Sequence, residues 1–542
     1  MNKLTVIDFF CGAGGFSEGF KQMGFKIKEG FDNWQPAINT YNYNFGTISK
    51  ITDILKFKDS LEEINKLPNT DIIIGSPPCI SFSSSNKSGK ADKSLGLDLT
   101  KCFLRIVAVK KHQEGSILKA WFMENVVNSK KYVSQEYSFK DLNLTEWAIT
   151  NGKDPNAEAL NLKDNTEIIN SADYGSYQAR KRAISGEIIS SKKFDIPKPT
   201  HSNIEGDNLS NWNTLSELIK KTPSPISKAS DSEIKDPVYK KIKLKQTDVT
   251  DHFYDSGLYK SEWRQSKEHK INHYCMGRMS FPENLNKPSR TITATKSGTS
   301  REALIYKSEY NRIGNGEYRS PTVREASSIM GFPYTYQFLG SINSKWRLVG
   351  NAVCPSVSRA LAKEVLLSLK MKPPKRLKLN KKINFVEVEN LNDFKEKLFD
   401  KQPKRTKNSR FRRHPIKAGN LTVTLSNYEI EKKSKAKNNW FTSIQYGTGI
   451  NFKNQEVQDN YYKEIEPLLL KNKEGKQFIR IINNGFSEKI ADALNLQKMY
   501  ELQESNGNYK EPTELVNEVN IIIKNLNLDD NKFKQQKRKI FA

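Results

Sequence analysis

Residues 70 to 83 read TDIIIGSPPCISFS, and this stretch decides the fold. Its apolar run is short, rich in isoleucine and ends at Gly75, which is typical of a strand buried in a parallel sheet. The two prolines that follow fix the backbone φ angle and remove two amide donors, so the chain leaves the sheet in a defined direction. Cys79 is therefore predicted at the carboxyl end of a strand, where open α/β sheets place their active sites. A buried structural thiol is the alternative, since free cysteine is among the most buried residue types.

Another strand of this sheet is predicted at the N-terminus, from Leu4 to Phe10. It ends in the glycine-rich sequence CGAGG at residues 11–15, after which apolar residues recur at helical spacing up to Gly24. A strand, a glycine turn and a helix in this order are typical of a doubly wound nucleotide-binding sheet. The spacing is not that of a dinucleotide-binding loop, and no lysine follows as in a P-loop. The ligand therefore need not carry phosphate.

Two acidic residues follow at predicted strand ends. Asp32 comes directly after the strand predicted at 25–31, where a carboxylate can accept hydrogen bonds from both ribose hydroxyls. Asp53 follows Ile51 and Thr52 near what is predicted as a further strand end. Each acid alone could be a solvated surface residue, but the glycine turn and the two acids together indicate a ligand site.

A carboxylate is predicted at the same edge of the sheet as Cys79. The apolar strand at 120–123 runs into Glu124, which is flanked by apolar and aromatic residues. A carboxyl group in such surroundings is suited to give a proton to a base ring. The alternative is that Glu124 caps a neighbouring helix.

Two arginines precede the strand predicted at 183–189. Arg180 and Arg182 alternate, so on an extended backbone both are expected on one side, where they could hold a phosphate or a carbonyl oxygen. A charged edge strand is the alternative. Residues 129–170 are polar, with few apolar clusters, and are predicted to form an insertion or surface elements.

The composition favours a nucleic-acid partner. The chain has 542 residues and a net charge of +27, which points to a polyanionic partner, and no apolar run approaches the roughly 20 residues of a membrane-spanning helix. Five scattered cysteines without a Cys-x-x-Cys pair argue against a disulfide framework and a zinc site, and fit a reducing cytoplasm. No signal peptide is expected, because Met1 to Leu4 runs straight into the first strand.

With these residues in view, residues 3–370 resemble the DNA cytosine-5 methyltransferases of bacterial and phage restriction-modification type. The motifs stand in the family's order: the cofactor loop at 10–15, Pro78-Cys79, Glu124-Asn125-Val126, Gln-x-Arg-x-Arg at 178–182, Arg290 to Thr293, and Gly350 to Val353. Two departures are Ile80, where the family usually has glutamine, and Asp32, where glutamate is common. The first leaves open how the gap left by a flipped base is filled.

The resemblance implies a fold and a set of site residues. The fold is α/β, a doubly wound Rossmann-like S-adenosylmethionine-dependent methyltransferase domain with an inserted small target-recognition domain and a basic C-terminal α+β extension. The catalytic residues would be Cys79, Glu124, Arg180 and Arg182. The residues that bind S-adenosylmethionine would be Phe10, Gly12, Gly14, Gly15, Asp32, Asp53, Pro78, Leu99 and Asn351. No metal is expected.

The predicted partner is double-stranded DNA, with a separately encoded restriction endonuclease as companion, no membrane, and a monomeric enzyme. Predicted DNA contacts are Ser83, Arg290, Lys404, Arg405, Arg410, Arg412 and Arg413. A cysteine after the prolines favours carbon methylation, because methylation of exocyclic amines needs no covalent nucleophile. Two alternatives stay open: a tRNA cytosine-5 methyltransferase of the same fold, and a catalytically silent DNA-binding protein.

The chain is predicted to divide into five parts. These are a catalytic and cofactor-binding part at 1–189, a target-recognition domain at 190–325, helices that complete the catalytic domain at 326–370, a basic linker at 371–418, and an accessory domain at 419–542. Residues 371–542 hold 35 Lys and Arg against 21 Asp and Glu, about half of the net charge. Strands are expected at 421–428 and 440–446 and a helix at 515–528. DNA binding is favoured for this part, with a fused nuclease as the alternative.

Overall fold

The computed structural model describes residues 3–78, 94–191, 196–223, 232–245, 260–272, 278–295, 300–307 and 318–379, and short segments of the C-terminal part. The C-terminal segments are 413–418, 421–426, 428–429, 434–435, 441–446, 473 and 476. Two compact units are separated between Leu398 and Phe399. Each unit is described by itself below.

Helices separate the strands from β1 to β4, whereas β6, β7 and β8 follow one another without an α-helix between them. The helices are α1 Gly15–Gln22, α2 Gln35–Phe45, α3 Leu61–Asn65, α4 Ser94–His112, α5 Thr145–Thr150, α6 Leu215–Ile219, α7 Lys260–Ile271, α8 Val323–Met330, α9 Ile342–Asn351 and α10 Pro355–Ser368. The strands up to residue 188 are β1 Thr5–Phe9, β2 Lys26–Phe31, β3 Ile72–Gly75, β4 Ala120–Asn125, β5 Glu136–Ser138, β6 Glu158–Asn161, β7 Thr166–Asn170 and β8 Lys181–Ile188.

The later strands are short or belong to the C-terminal unit. They are β9 His201–Ser202, β10 Ser210–Asn211, β11 Glu233–Lys235, β12 Lys243–Lys245, β13 Tyr306–Lys307, β14 Tyr318–Arg319, β15 Arg413–Ala418, β16 Leu421–Ser426, β17 Tyr428–Glu429, β18 Ser434–Lys435 and β19 Phe441–Tyr446.

The N-terminal unit contains a six-stranded sheet whose strands lie in the order β2-β1-β3-β4-β8-β7. The first four of these strands are parallel, whereas β8 runs antiparallel to β4 and β7 antiparallel to β8. The carboxyl ends of the parallel strands therefore meet at one edge, and β8 starts from that same edge. The α/β fold predicted from the strand and helix pattern is confirmed.

Both faces of the sheet are covered, as the unbroken apolar run of β3 requires. On one face, Val6, Ile72 and Phe122 lie in a buried cluster with α1 and α8 to α10. On the other face, Ile73 and Trp121 pack with α4. Helix α1 lies directly against α10. The contact is so close that a Cβ atom at Gly15 or Gly19 would collide with the backbone in or just before α10, so glycine is required at both positions.

Residues 129–170 differ from the sequence expectation of surface elements. Tyr137, Phe139, Leu142 and Leu160 are buried and belong to the core cluster under α4. Their apolar side chains are isolated along the sequence, so no periodic pattern shows them, yet the β5–β6 hairpin and its neighbouring turns bring them together. The prediction was wrong for these residues because their burial is created by long-range packing.

The C-terminal unit contains a three-stranded antiparallel sheet in the order β15-β16-β19. Its strands β16 and β19 occupy the segments predicted as strands at 421–428 and 440–446. The helix predicted at 515–528 lies outside the described residues. The linker residues Lys404, Arg405, Arg410 and Arg412 also lie outside them, and Arg413 is the first residue of β15.

Candidate active site

The carboxyl edge of the sheet brings the ends of β1, β3 and β4 side by side. The Ser76 amide, one residue beyond β3, donates a hydrogen bond to the Phe9 carbonyl at the end of β1 (3.1 Å). The chain is described as far as Pro78, which is exposed at this edge. The predicted nucleophile Cys79, the adjoining Ile80 and the predicted DNA contact Ser83 lie outside the described residues.

Glu124 is the buried carboxylate at this edge. Its side chain is 7% exposed, and each of its two oxygens has a partner from a neighbouring strand. Arg182 at the start of β8 places its Nε 2.9 Å from Oε1, and the Ser76 hydroxyl donates to Oε2 at 2.5 Å. The predicted position of Glu124 beside the chain that leads to Cys79 therefore matches the geometry, and the alternative of a helix cap does not.

The two arginines of the Gln-x-Arg-x-Arg segment have different surroundings. Arg182 reaches Glu124, as described above. Arg180 is buried, with 4% of its surface exposed. Its guanidinium donates hydrogen bonds to the carbonyls of Ile292 (3.1 Å) and Gly350 (3.0 Å). The expectation that both arginines face a substrate is corrected for Arg180, because its donors hold two distant backbone segments together.

Gln178 and Arg290, from the motifs at 178–182 and 290–293, form hydrogen bonds with other parts of the chain. The Gln178 side-chain oxygen accepts a hydrogen bond from the Ile292 amide (2.7 Å), and Gln178 and Ser289 form a parallel β-bridge. Arg290, a predicted DNA contact, instead directs its guanidinium to Glu283, with its Nε 3.0 Å from Oε2. The motif at 290–293 is thus packed beside 178–180, more than a hundred residues earlier in the chain.

The glycine turn after β1 is tied to Asp32. The Gly12 amide donates to Asp32 Oδ2 (2.9 Å), and the Trp34 amide donates to Oδ1 (3.0 Å). Burial raises the pKa of the Asp32 carboxyl, while these amide donors and Arg347 act in the opposite direction. Each oxygen accepts one of these backbone bonds and keeps a second lone pair for a ligand hydroxyl.

The glycines of this turn are required for different reasons. Gly12 has a φ angle of +51°, and among the described residues the nearest atom to a Cβ there would be the Phe10 carbonyl oxygen, at 4.0 Å. Gly14 has a φ angle of +81°, and its Cβ atom would collide with Phe45 and Tyr336. Gly12 therefore carries no side chain to obstruct a ligand, whereas Gly14 and Gly15 are needed for packing. Phe10 is strained, with a φ angle of +55° in a non-glycine residue.

Three further residues were predicted to bind the cofactor, and each lies in a different element. Asp53 is exposed and accepts a hydrogen bond from the Leu55 amide (3.0 Å) at the start of a short 3-10 helix, Ile54–Phe57. Leu99 lies in α4, partly buried against the second core cluster. Asn351 is the exposed last residue of α9.

Sequence reasoning missed three polar groups near this edge: the Ser76 hydroxyl, the Trp34 amide and the Asp8 carboxyl. Asp8 is fully buried in β1, where its Oδ2 accepts a hydrogen bond from the Ser17 hydroxyl (2.7 Å) and its Oδ1 has no hydrogen-bond partner among the described residues. Burial raises the pKa of Asp8 from 3.8 to about 8. The period of two puts Asp8 on the face of Val6 and Ser76 on the face of Ile74, but only the register between the strands puts both on the face of Glu124.

The described cysteines are poor candidates for a nucleophile. Cys11, Cys102 and Cys354 are all buried, and burial raises the pKa of each thiol. A thiolate is the reactive form, so these three thiols are inert by comparison with one at an exposed strand end. Within the described ranges, no group of three or more His, Cys, Asp or Glu side chains is placed to hold a metal ion.

Comparisons with known proteins identify relatives of this chain. The family model described as C-5 cytosine-specific DNA methylase matches residues 4–367. The type II methyltransferase M.HindV of Haemophilus influenzae is 27% identical over 367 residues, which cover 67% of this chain and 96% of that protein. M.HgiDI of Herpetosiphon aurantiacus is 42% identical over 125 residues, 23% of this chain and 37% of its own length.

Among solved structures, a prophage-encoded putative DNA modification methyltransferase of E. coli covers 68% of this chain and all of its own, with 21% identity and a TM-score of 0.43. No described helix has the length and apolar character needed to span a bilayer. The family match spans the whole six-stranded sheet, Glu124 with its partners and the helices that complete the fold, and by that match this chain belongs to the C-5 cytosine-specific DNA methylase family.

Proposed function

We propose that this chain transfers a methyl group from S-adenosylmethionine to carbon 5 of cytosine in a short sequence of double-stranded DNA, with Cys79 as the covalent nucleophile. The observation that carries the proposal is the buried Glu124 carboxylate, held between Ser76 and Arg182 at the edge where Pro77 and Pro78 lead the chain to Cys79. The related proteins named above are type II methyltransferases, which favours a restriction-modification role with a separate endonuclease.

The chemistry requires a nucleophile because carbon 5 of cytosine is itself a poor one. In the proposed reaction the Cys79 thiolate adds to carbon 6, and the electron pair of the 5,6 double bond moves into the ring toward nitrogen 3. Glu124 gives its proton to nitrogen 3, and the Arg182 guanidinium stabilises the charge that develops on the ring. Carbon 5 is then an enamine-like nucleophile.

The end of the reaction restores Cys79. Once carbon 5 carries the methyl group, it loses its proton to a base, for which water is the simplest candidate. The electrons of that C–H bond re-form the 5,6 double bond, and the bond between carbon 6 and the Cys79 sulfur breaks. Nitrogen 3 returns its proton to Glu124, and the product is 5-methylcytosine.

The residues around the glycine turn fit S-adenosylmethionine. Asp32 would accept hydrogen bonds from the two ribose hydroxyls, because each of its oxygens keeps a free lone pair after binding a backbone amide. Gly12 carries no side chain to obstruct a ligand at this turn. The partly buried Trp34, whose ring has the Arg347 guanidinium 4.7 Å from its centroid, follows Asp32 closely and is a candidate neighbour of the adenine. When bound there, the cofactor would supply an electrophilic methyl group.

The target base must leave the duplex, because none of these residues could reach carbon 6 inside stacked DNA. Base flipping costs roughly a few kcal/mol, which protein contacts to the phosphates and neighbouring bases must offset. The basic segment from Lys401 to Lys417 carries no acidic residue and is proposed to contact phosphates. It would add affinity that is independent of sequence.

Transfer of labelled methyl from S-adenosylmethionine tests the proposal, with unmethylated genomic DNA and tRNA as parallel substrates. Conversion sequencing of the labelled polymer then locates the modified base. We expect label in DNA as 5-methylcytosine at one short sequence. Label in tRNA alone would favour an RNA enzyme, and the absence of label from both would favour a catalytically silent DNA-binding protein.

A further inference from the structure

Ser76 links the end of β1 to the catalytic carboxylate. Its amide donates to the Phe9 carbonyl (3.1 Å), and its hydroxyl donates to Glu124 Oε2 (2.5 Å). The hydrogen bond from the Ser76 amide to Phe9 fixes the position of Ser76. From that position the Ser76 hydroxyl holds the Glu124 carboxyl group. The serine thereby connects the strand that carries the glycine turn with the strand that carries the proton donor.

The register of the sheet places this hydroxyl beside Glu124. Strands β3 and β4 are parallel, with Ile74 opposite Phe122 and Gly75 opposite Met123, so the next pair along is Ser76 and Glu124. On the other side, β8 runs antiparallel to β4 and presents Arg182 to the second oxygen. The carboxyl group is thus held from both neighbouring strands, which fixes its direction at the edge of the sheet.

The two partners of Glu124 are chemically different. A guanidinium can only donate hydrogen bonds, and it favours the ionised carboxylate. A hydroxyl can donate to a carboxylate and can also accept from a protonated carboxyl group by rotating about its C–O bond. Both partners can therefore keep a hydrogen bond to a protonated Glu124, since one carboxyl oxygen still accepts, but the neutral serine favours the ionised form less than the guanidinium does.

We propose that Ser76 is a positioning residue for methyl transfer, holding the Glu124 carboxyl group through the gain and loss of its proton; this rests on the function proposed above. When Cys79 adds to carbon 6, the Glu124 proton passes to nitrogen 3, and the Ser76 hydroxyl donates to the carboxylate that remains. When nitrogen 3 returns the proton, the carboxyl O–H points at that nitrogen, and the Ser76 hydroxyl continues to donate to a lone pair of Oε2. Ser76 itself acts through Glu124 and exchanges no proton with the base.

The test compares Ser76→Ala, Ser76→Thr and the matched control Ser190→Ala in the full chain. Ser190 is an exposed serine just beyond β8, so its replacement removes the same atom away from the site. The single-turnover rate of methyl transfer is measured at saturating DNA and cofactor, together with the dissociation constant for S-adenosylmethionine. Loss of a hydrogen bond to a charged group in Ser76→Ala is expected to lower the rate of methyl transfer by about 10- to 100-fold.

We expect that loss with an unchanged dissociation constant, recovery of most of the rate in Ser76→Thr, and a wild-type rate in Ser190→Ala. In a Glu124→Gln background, Ser76→Ala should cause a much smaller further loss, because the two residues act on one step. Wild-type rates in Ser76→Ala would overturn the inference. So would a loss that threonine does not recover, or one accompanied by weaker cofactor binding, because both are signs of a general structural role.

The outcomes for the two proposals differ. If wild-type protein labels neither DNA nor tRNA, the proposed function fails, and the inference about Ser76 fails with it. If wild-type protein methylates DNA and Ser76→Ala does so at the same rate, the function stands and the inference alone is wrong.

Discussion

Arg182 Nε lies 2.9 Å from Glu124 Oε1, across the antiparallel pair that β8 forms with β4. The two residues are 58 positions apart in the chain, yet the register makes them neighbours on one sheet face. The Arg182 side chain is 19% exposed and that of Glu124 is 7% exposed, so the pair lies between the core and the solvent. A substrate that reaches this edge would meet the guanidinium and the carboxyl group together.

Replacement of Cys79 should affect methyl transfer without affecting the binding of S-adenosylmethionine. We expect Cys79→Ala to reduce methyl transfer to background while S-adenosylmethionine binding, measured by calorimetry, stays at the wild-type value. The reason is that the thiolate is needed to activate carbon 5, whereas the proposed cofactor residues lie around Gly12 and Asp32. Cys102→Ala is the control, because that thiol is buried in α4 away from the strand ends. Turnover by Cys79→Ala would remove the covalent mechanism.

The two arginines of the Gln-x-Arg-x-Arg segment should differ in their effect on methyl transfer. We expect Arg180→Met to lower the free energy of unfolding by about 2 to 4 kcal/mol, because the buried carbonyls of Ile292 and Gly350 lose their donors. Arg182→Met leaves the buried Glu124 carboxylate without its cation, so it should also lower that free energy, and in the folded protein it should abolish most of the methyl transfer. Denaturant titration and single-turnover rates of the folded variants check both. Folded Arg182→Met protein that methylates at the wild-type rate would contradict the role assigned to Arg182.

Asp32 should control cofactor affinity. We expect Asp32→Ala to raise the dissociation constant for S-adenosylmethionine by about 10- to 100-fold, because hydrogen bonds to a charged group are lost. The turn at Gly12 also loses its tether in this variant. Asp164→Ala, at an exposed loop position, is the control and should bind normally. An unchanged affinity in Asp32→Ala would place the ribose elsewhere.

Asp8 should make the stability of the protein depend on pH. Burial raises the pKa of its carboxyl from 3.8 to about 8, so the folded protein holds this proton more tightly than the unfolded chain. The resulting stabilisation is complete below about pH 4 and is lost as the pH rises to about 8. We expect wild-type protein to lose stability relative to Asp8→Asn between pH 5 and 8, by at most about 1.4 kcal/mol per pH unit.

Denaturation followed by tryptophan fluorescence measures this difference, since six of the seven tryptophans lie in residues 1–398. A difference between the two proteins that is independent of pH would show that the Asp8 carboxyl is ionised in the folded state over this range. A difference that grows in favour of wild-type protein as the pH rises would contradict the sign of the shift.

The basic C-terminal segment should contribute to the salt dependence of DNA binding. We expect the double substitution Arg410→Gln and Arg412→Gln to reduce the slope of log K against log salt by about 1 to 2, since each phosphate contact contributes about 0.9. Lys26→Gln with Lys28→Gln is the matched control, because both lysines are exposed on β2. Equal slopes for the two variants would show that the segment does not bind phosphates.

The sequence by itself determined five of the six strands of the sheet, all except β7, and the residues that follow their ends. Short apolar runs that stop at glycine, as at Gly75, or at a polar residue, as at Glu124, are local patterns, so the α/β fold and the edge occupied by Asp32 and Glu124 could be predicted from them. The helices α1 and α10 likewise follow from spacing along the chain. These features depend on neighbouring residues alone.

Only the tertiary structure decided what each polar side chain does. Arg180 and Arg182 are two residues apart and chemically identical, but Arg180 is buried against the backbone of Ile292 and Gly350 while Arg182 reaches Glu124. The partner of Ser76 depends on the register between β3 and β4, and the burial of Tyr137 and Leu160 depends on their packing in the core cluster that includes α4. The physical reason is that hydrogen bonds and burial join segments distant in the chain, and no local pattern records which segments will meet.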